Sequence, residues 1–224
     1  MSDFFSAFRF LKKVILPEYC PLCLKEYDEG GICKVCYGIL EGAAFKEHAF
    51  DFDIDGYTVR CRSVFSYKHG HVKKLVRCMK ENPDNGVFMF AAAYLAGEVR
   101  SLGLEEEGTV ITYVPRSKTG LRENGFDQSY LLARAVSRII PTLECGRLLE
   151  RRGKSRAQKS LAAKEREENV KGKFRAVETE ASPKNIIIAD DMYTTGSSIM
   201  ECAAVLRRKY PNADIFCLTV AKNA

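Results

Sequence analysis

Three consecutive isoleucines, Ile186 to Ile188, run into Ala189 and then Asp190-Asp191-Met192-Tyr193-Thr194-Thr195-Gly196-Ser197-Ser198, after which apolar residues recur at helical spacing. A short β-branched run of this kind is a buried strand, and it needs covering by other elements. A strand that turns through glycine directly into a helix is half of a β-α-β unit, so the chain is predicted to fold as an α/β protein with a parallel sheet flanked by helices. The neighbouring pattern agrees. Val110 to Val114 predicts a strand ending at Pro115. A polar loop through Asn124 follows, then a helix carrying Leu131, Leu132, Ala135, Val136 and Ile139 that stops at Pro141. A helix over Ser197 to Arg208 and a last strand over Asp214 to Val220 complete the series. Upstream, Val72 to Met79 and Val87 to Val99 read as helices. Phe50, Phe52 and Ile54, alternating with Asp51, Asp53 and Asp55 ahead of Gly56, read with Tyr57, Val59 and Cys61 as a hairpin. The aspartates imitate the start of a calcium-binding EF-hand loop, but its twelfth position is Arg62 where a bidentate glutamate is required, which excludes calcium.

The turn after the isoleucines carries the chemistry. Ligands of open parallel sheets sit beyond the carboxyl ends of strands, and amides at a helix start cradle anions. The hydroxyls of Thr194, Thr195 and Ser198, with Ser197 and the Gly196 amide beside them, suit a phosphate monoester. Asp190 and Asp191 suit the vicinal hydroxyls of a sugar, and together the two halves describe a ribose 5-phosphate. The alternative is a strand-helix turn capped by its own serine or threonine, with the aspartates merely solvated.

Cys20-Pro-Leu-Cys23 and Cys33-Lys-Val-Cys36 form two paired knuckles, the pattern of a structural zinc site; a disulfide pair or a redox motif is the alternative. The chain of 224 residues, 46% hydrophobic and 29% charged, excludes disordered, collagen-like and coiled-coil classes, and it has room for one full domain plus a small appendage. The expected division is residues 1–45, an N-terminal helix with the zinc module, and 46–224, the α/β domain, and removal of the metal should unfold only the former. Met1 to Pro17 places Phe4, Phe5, Phe8, Leu11, Val14 and Ile15 at helical spacing, read as a docked amphipathic helix, with a membrane-surface helix as the alternative. The longest apolar run, Val87 to Ala96, is ten residues, about half a membrane span. With no export signal, the expected location is cytoplasmic. Between Arg147 and Arg175 lie eleven basic and four acidic residues, +7 in a chain whose net charge is +6. This segment, flexible over about 150–173, is read either as a polyanion-binding loop or as a solvated surface.

The Asp-Asp-x-x-Thr-Thr-Gly-x-Ser pattern resembles the phosphoribosyl pyrophosphate loop of type I phosphoribosyltransferases. More narrowly, over nearly its whole length, the chain resembles the ComF family of competence-associated, phosphoribosyltransferase-like proteins. The shared features are the four-cysteine knuckle, Tyr67 before a helix ending Met79-Lys80, Val114-Pro115, and Gly125-Phe126 with Gln128; the basic segment adds Gln158, Leu161, Arg166, Asn169, Gly172 and Phe174. Two departures stand out. The family's Arg-Gly-Phe-Asn-Gln is here Asn124-Gly125-Phe126-Asp127-Gln128, a cation lost and an anion gained, with Arg122 nearby. Ser198 replaces threonine.

The resemblance implies a type I phosphoribosyltransferase-like domain that binds phosphoribosyl pyrophosphate with Mg²⁺. Arg116, Ser117 and Lys118 would meet the pyrophosphate, Lys154, Arg156 or Lys159 would close over it, and Asp190 and Asp191 would position and stabilise the ribose as catalytic residues. It implies a transferase of the glycosyltransferase class linked to DNA uptake, acting on an unidentified nitrogen nucleophile. The alternative is a non-catalytic accessory protein holding single-stranded DNA. A DNA-translocating ATPase of the competence system is an implied partner.

Overall fold

The isoleucine run lies in the middle of the sheet. In a computed structural model, which describes residues 19–27, 31–45, 49–152 and 172–223, strand β7 (Asn185–Tyr193) stands between β3 (Thr109–Tyr113) and β8 (Asp214–Lys222), parallel to both. Beyond them, β2 (Tyr57–Ser66) runs parallel to β8 and β4 (Glu144–Cys145) parallel to β3. At the far edge β1 (Ala49–Ile54) pairs antiparallel with β2, giving the order β1-β2-β8-β7-β3-β4. That edge is antiparallel because Asp55 and Gly56, at φ of 51° and 80°, make a two-residue turn too short for a crossover. Asp53 Oδ1 accepts from the Gly56 amide at 2.9 Å, so this aspartate of the repeat shapes the turn.

Alternation along the strands feeds two cores. Ile187, Ala189, Ile111 and Leu218 pack beneath α1 (Lys34–Ala43), α2 (Gly70–Glu81), α3 (Asn85–Ser101) and α5 (Gln128–Ile139). Ile186, Ile188, Val110 and Ile215 pack on the other side with Ile199, Cys202 and Leu206 of α6 (Ser197–Lys209). Each fully buried isoleucine or leucine among them contributes about 1.5–3 kcal/mol, and the sheet is mostly parallel because both faces can be covered.

Helix α1 and the two-residue strand β4 have no counterpart in the sequence reading, and two loop regions differ from expectation as well. The loop through Asn124 contains a short helix, α4 (Lys118–Asn124), begun by Ser117, whose Oγ accepts from the Gly120 amide at 3.0 Å, and ended by Gly125 at φ 77°. At seven residues it is too short to show an apolar period. The basic segment is flanked by a two-stranded antiparallel ribbon, β5 (Leu149–Arg151) with β6 (Phe174–Ala176), whose three-residue strands have no readable alternation. Most of that segment, including Lys154, Arg156 and Lys159, lies outside the described residues, as does the expected helix over residues 1–17.

The N-terminal cysteine module shares the first core. Cys20, Leu22, Cys36 and Leu40 are buried among residues of α2 and α3. Cys78 of α2 donates its thiol to the Pro21 carbonyl at 3.1 Å, and a Cβ at Gly86 would come within 2.5 Å of the Gly31 Cα. Among the described residues no helix is long and apolar enough to cross a membrane.

Candidate functional site

The four predicted metal ligands converge. The Sγ atoms of Cys20, Cys23, Cys33 and Cys36 all lie within 4.8 Å of one another, and those of Cys23 and Cys33 are 3.8 Å apart. A tetrahedral zinc with Zn–S bonds of 2.3 Å sets its sulfurs about 3.8 Å apart, so the cluster fits that ion. Local structure makes the fit. Leu24 takes a left-handed φ of 59° and its amide donates to the Cys20 carbonyl at 2.8 Å, turning the first knuckle. Cys33 starts α1 and Cys36 lies in its first turn, which brings the second pair round. Burial opposes ionisation of Cys20, but amides of Cys33, Leu22 and Cys23 favour its thiolate and bring its pKa down to about 7. Burial and the surrounding thiols push Cys36 up. With four sulfur ligands and no open position, such a zinc site is structural.

At the carboxyl edge of the sheet, β7 runs past its apolar residues and carries the aspartates with it, Asp190 opposite Thr219 and Met192 opposite Ala221 of β8. A cavity of about 200 Å³ opens there, lined by Lys80, Asp190, Asp191, Met192, Thr194, Gly196, Ser197, Ser198 and Ile199. Asp190 Oδ1 accepts from Ser129 Oγ at 2.7 Å and from the Asp191 amide at 3.0 Å. Burial and the Asp191 charge raise its carboxyl well above the ordinary carboxylate range, against the pull of those two donors. Asp191 is buried, and its Oδ2, 3.4 Å from Lys80 Nζ, accepts no hydrogen bond.

Gly196, at φ 74°, begins α6, and no side chain caps the helix. One long local bond does form: the Ser197 amide donates to Thr195 Oγ1 at 3.5 Å, and that oxygen lies 3.0 Å from Ser197 Oγ. The N-cap is therefore glycine rather than serine or threonine, and the other first-turn amides carry the helix's positive end. Thr194 and Thr195 are exposed, and Thr195 does not line the cavity. The glycine has a reason beyond its torsion: a Cβ would lie 2.2 Å from the Tyr193 hydroxyl oxygen.

The loop after β3 opens on the same edge, since Val114 donates its amide to the Ala189 carbonyl at 3.2 Å. Two of its three candidate residues are otherwise engaged. The Arg116 guanidinium donates to Gln128 Oε1, Ser117 caps α4, Lys118 is exposed, and none of the three lines the cavity. Asp127, one of the residues at which the chain departs from the ComF pattern it resembles, accepts from the amides of Arg116, Ser129 and Tyr130 at 2.9, 3.1 and 3.2 Å. Its negative charge is spent capping α5 and holding the Arg116 loop. At the described ends of the basic segment, Arg147 and Arg175 pair with Glu150, and the Arg151 guanidinium lies 5.3 Å over the Phe174 ring. Glu201 of α6 accepts from the amides of Lys173 and Phe174, tying the segment's return to the helix that starts at the cavity.

Two site residues were not legible as such. Lys80 stood out only as a helix end shared with the ComF pattern and Ser129 not at all, because each meets its aspartate through packing between elements distant in sequence.

No protein-family model matches the chain. Over 120 residues, 53% of the chain and 52% of the relative, it is 31% identical to the DNA utilization protein YhgH of Escherichia coli (strain K12). It is 29% identical over 120 residues to the YhgH of Salmonella typhimurium, again 53% of this chain and 52% of the relative. Over 86 residues, 38% of each, it is 31% identical to Competence protein F of Haemophilus influenzae. The match to YhgH spans about half the length of that relative.

Proposed function

From a ComF family assignment, which the DNA-utilization and competence homologues support, we infer that this protein serves DNA uptake through a site for phosphoribosyl pyrophosphate. The observation that carries the reading is the juxtaposition, on one cavity, of an uncapped first turn of α6 with two carboxylates at the end of β7. The 5-phosphate would sit on the amides from Gly196 to Ile199 with the hydroxyls of Thr194, Ser197 and Ser198 beside it. Asp191 and Asp190 would take the ribose hydroxyls. Mg²⁺ arriving with the pyrophosphate would neutralise the leaving group. Asp191 would then stabilise the positive charge that develops on the ribose as the C1–O bond breaks, and no side chain need act as nucleophile.

Calorimetric titration of phosphoribosyl pyrophosphate with Mg²⁺ tests the reading. Binding by the parent, lost on Asp190→Ala with Asp191→Ala, is the expected result. Heat that is absent, or that persists in the double variant, overturns it.

A second reading is a non-catalytic holder of single-stranded DNA. The names of the relatives and the +7 segment between Arg147 and Arg175 favour it. Such binding would be held by charge and would weaken steeply with salt.

A further inference from the structure

Resting on the phosphoribosyl reading of the cavity, we propose that Lys80 is its diphosphate-binding cation, released from Asp191 to the ligand when the site fills. The main chain of Lys80 is held, because its carbonyl accepts from Asn124 Nδ2 of α4 at the end of α2. The side chain is 41% exposed, and its ammonium stands at the cavity wall 3.4 Å from Asp191 Oδ2. That contact is an ion pair without hydrogen-bond alignment, since Asp191 Oδ2 is buried and accepts no hydrogen bond. A four-carbon stem bearing a compact charge can swing to a new anion while its main chain stays fixed.

The charge pattern gives the swing its direction. Among the described residues lining the cavity, two carboxyl groups, those of Asp190 and Asp191, face this one cation. A multiply negative diphosphate entering here is repelled by Asp191 unless a cation moves onto it. Withdrawing Lys80 alone would strand a buried carboxylate, which is costly. A ligand that carries vicinal hydroxyls as well removes that cost, because the hydroxyls donate to Asp191 as the ammonium leaves. The exchange therefore favours a molecule with diphosphate and diol together over either half. Lys80 reaches the site from α2, outside the Arg116 to Lys118 loop.

Calorimetry with inorganic pyrophosphate and with ribose 5-phosphate, neither with added magnesium, separates this proposal from the reading beneath it. Lys80→Met should weaken pyrophosphate binding about tenfold or more, as expected for loss of a charge-assisted hydrogen bond, and leave ribose 5-phosphate within about threefold. Lys80→Arg should retain pyrophosphate binding. Asp191→Asn, which frees the ammonium, should tighten pyrophosphate several-fold and weaken ribose 5-phosphate. Thermal melts show whether each variant is folded; if Lys80→Met is not, the other two decide. Pyrophosphate binding that is absent from the parent, indifferent to Lys80→Met, lost in Lys80→Arg, or weakened by Asp191→Asn overturns the role of Lys80. Failure of ribose 5-phosphate alone to bind overturns the phosphoribosyl reading and leaves the pyrophosphate result standing for Lys80.

Discussion

Gly196→Ala should destabilise the protein by an amount that the structure allows to be divided into two parts. At φ 74° the residue is in the left-handed region, where a Cβ costs about 1–2 kcal/mol. The new Cβ would also lie 2.4 Å from Tyr193 Cζ and 2.7 Å from Cε2, so the ring must swing aside. That ring stands edge-on to Phe50 at a centroid distance of 4.5 Å, a contact worth about 0.5–1.5 kcal/mol. The sum, about 1.5–3.5 kcal/mol, lowers the melting temperature of a chain this long by about 3–14 °C. Calorimetric or urea melts measure it. Tyr193→Ala removes the obstruction, so in the double variant the clash is absent and the two single costs should exceed the double cost by about 1 kcal/mol. A Gly196→Ala protein melting within about 1 °C of the parent, or strictly additive costs in the cycle, would refute the reasoning. A bulkier residue such as valine is for the same reason no clean block of the phosphate turn, because it displaces Tyr193 before it meets any ligand.

Protein purified without chelator should contain one zinc per chain by elemental analysis, and Cys20→Ser with Cys23→Ser should lose it. Because Cys20, Cys36 and Leu40 share a core with α2 and α3, chelation should lower the main melting transition too; an unchanged transition would show the module to be thermally independent. Asp190→Asn should stabilise the protein at pH 8 and progressively less at lower pH. An acid whose folded pKa is raised contributes stability that is fully present below its unfolded pKa and is lost as pH rises through the folded value, and asparagine removes that loss. A stability difference between Asp190→Asn and the parent that is the same at pH 5 and pH 8 would sink the assignment.

Much of the fold is written in residue order. The isoleucine strand, the Asp-Gly hairpin, the helices over 70–81 and 85–101 and the pairing of two cysteine knuckles all follow from local period and spacing, which adjacent residues alone can encode. Helix α4 and the β5–β6 ribbon escape that reading because they are too short to display a period.

The candidate site divides in the same way. Asp190, Asp191 and the Gly196 turn lie in one continuous stretch, so their juxtaposition is local, and the sequence by itself determined it. The tertiary structure alone decided the partners: Ser129 on Asp190, Lys80 on Asp191, Tyr193 against Gly196, and Asp127 turned to the amides of α5 and Arg116. A side chain's charge and hydrogen-bonding capacity are properties of its residue type. Which group satisfies them is set by the packing of helices onto the sheet, and no local pattern records that.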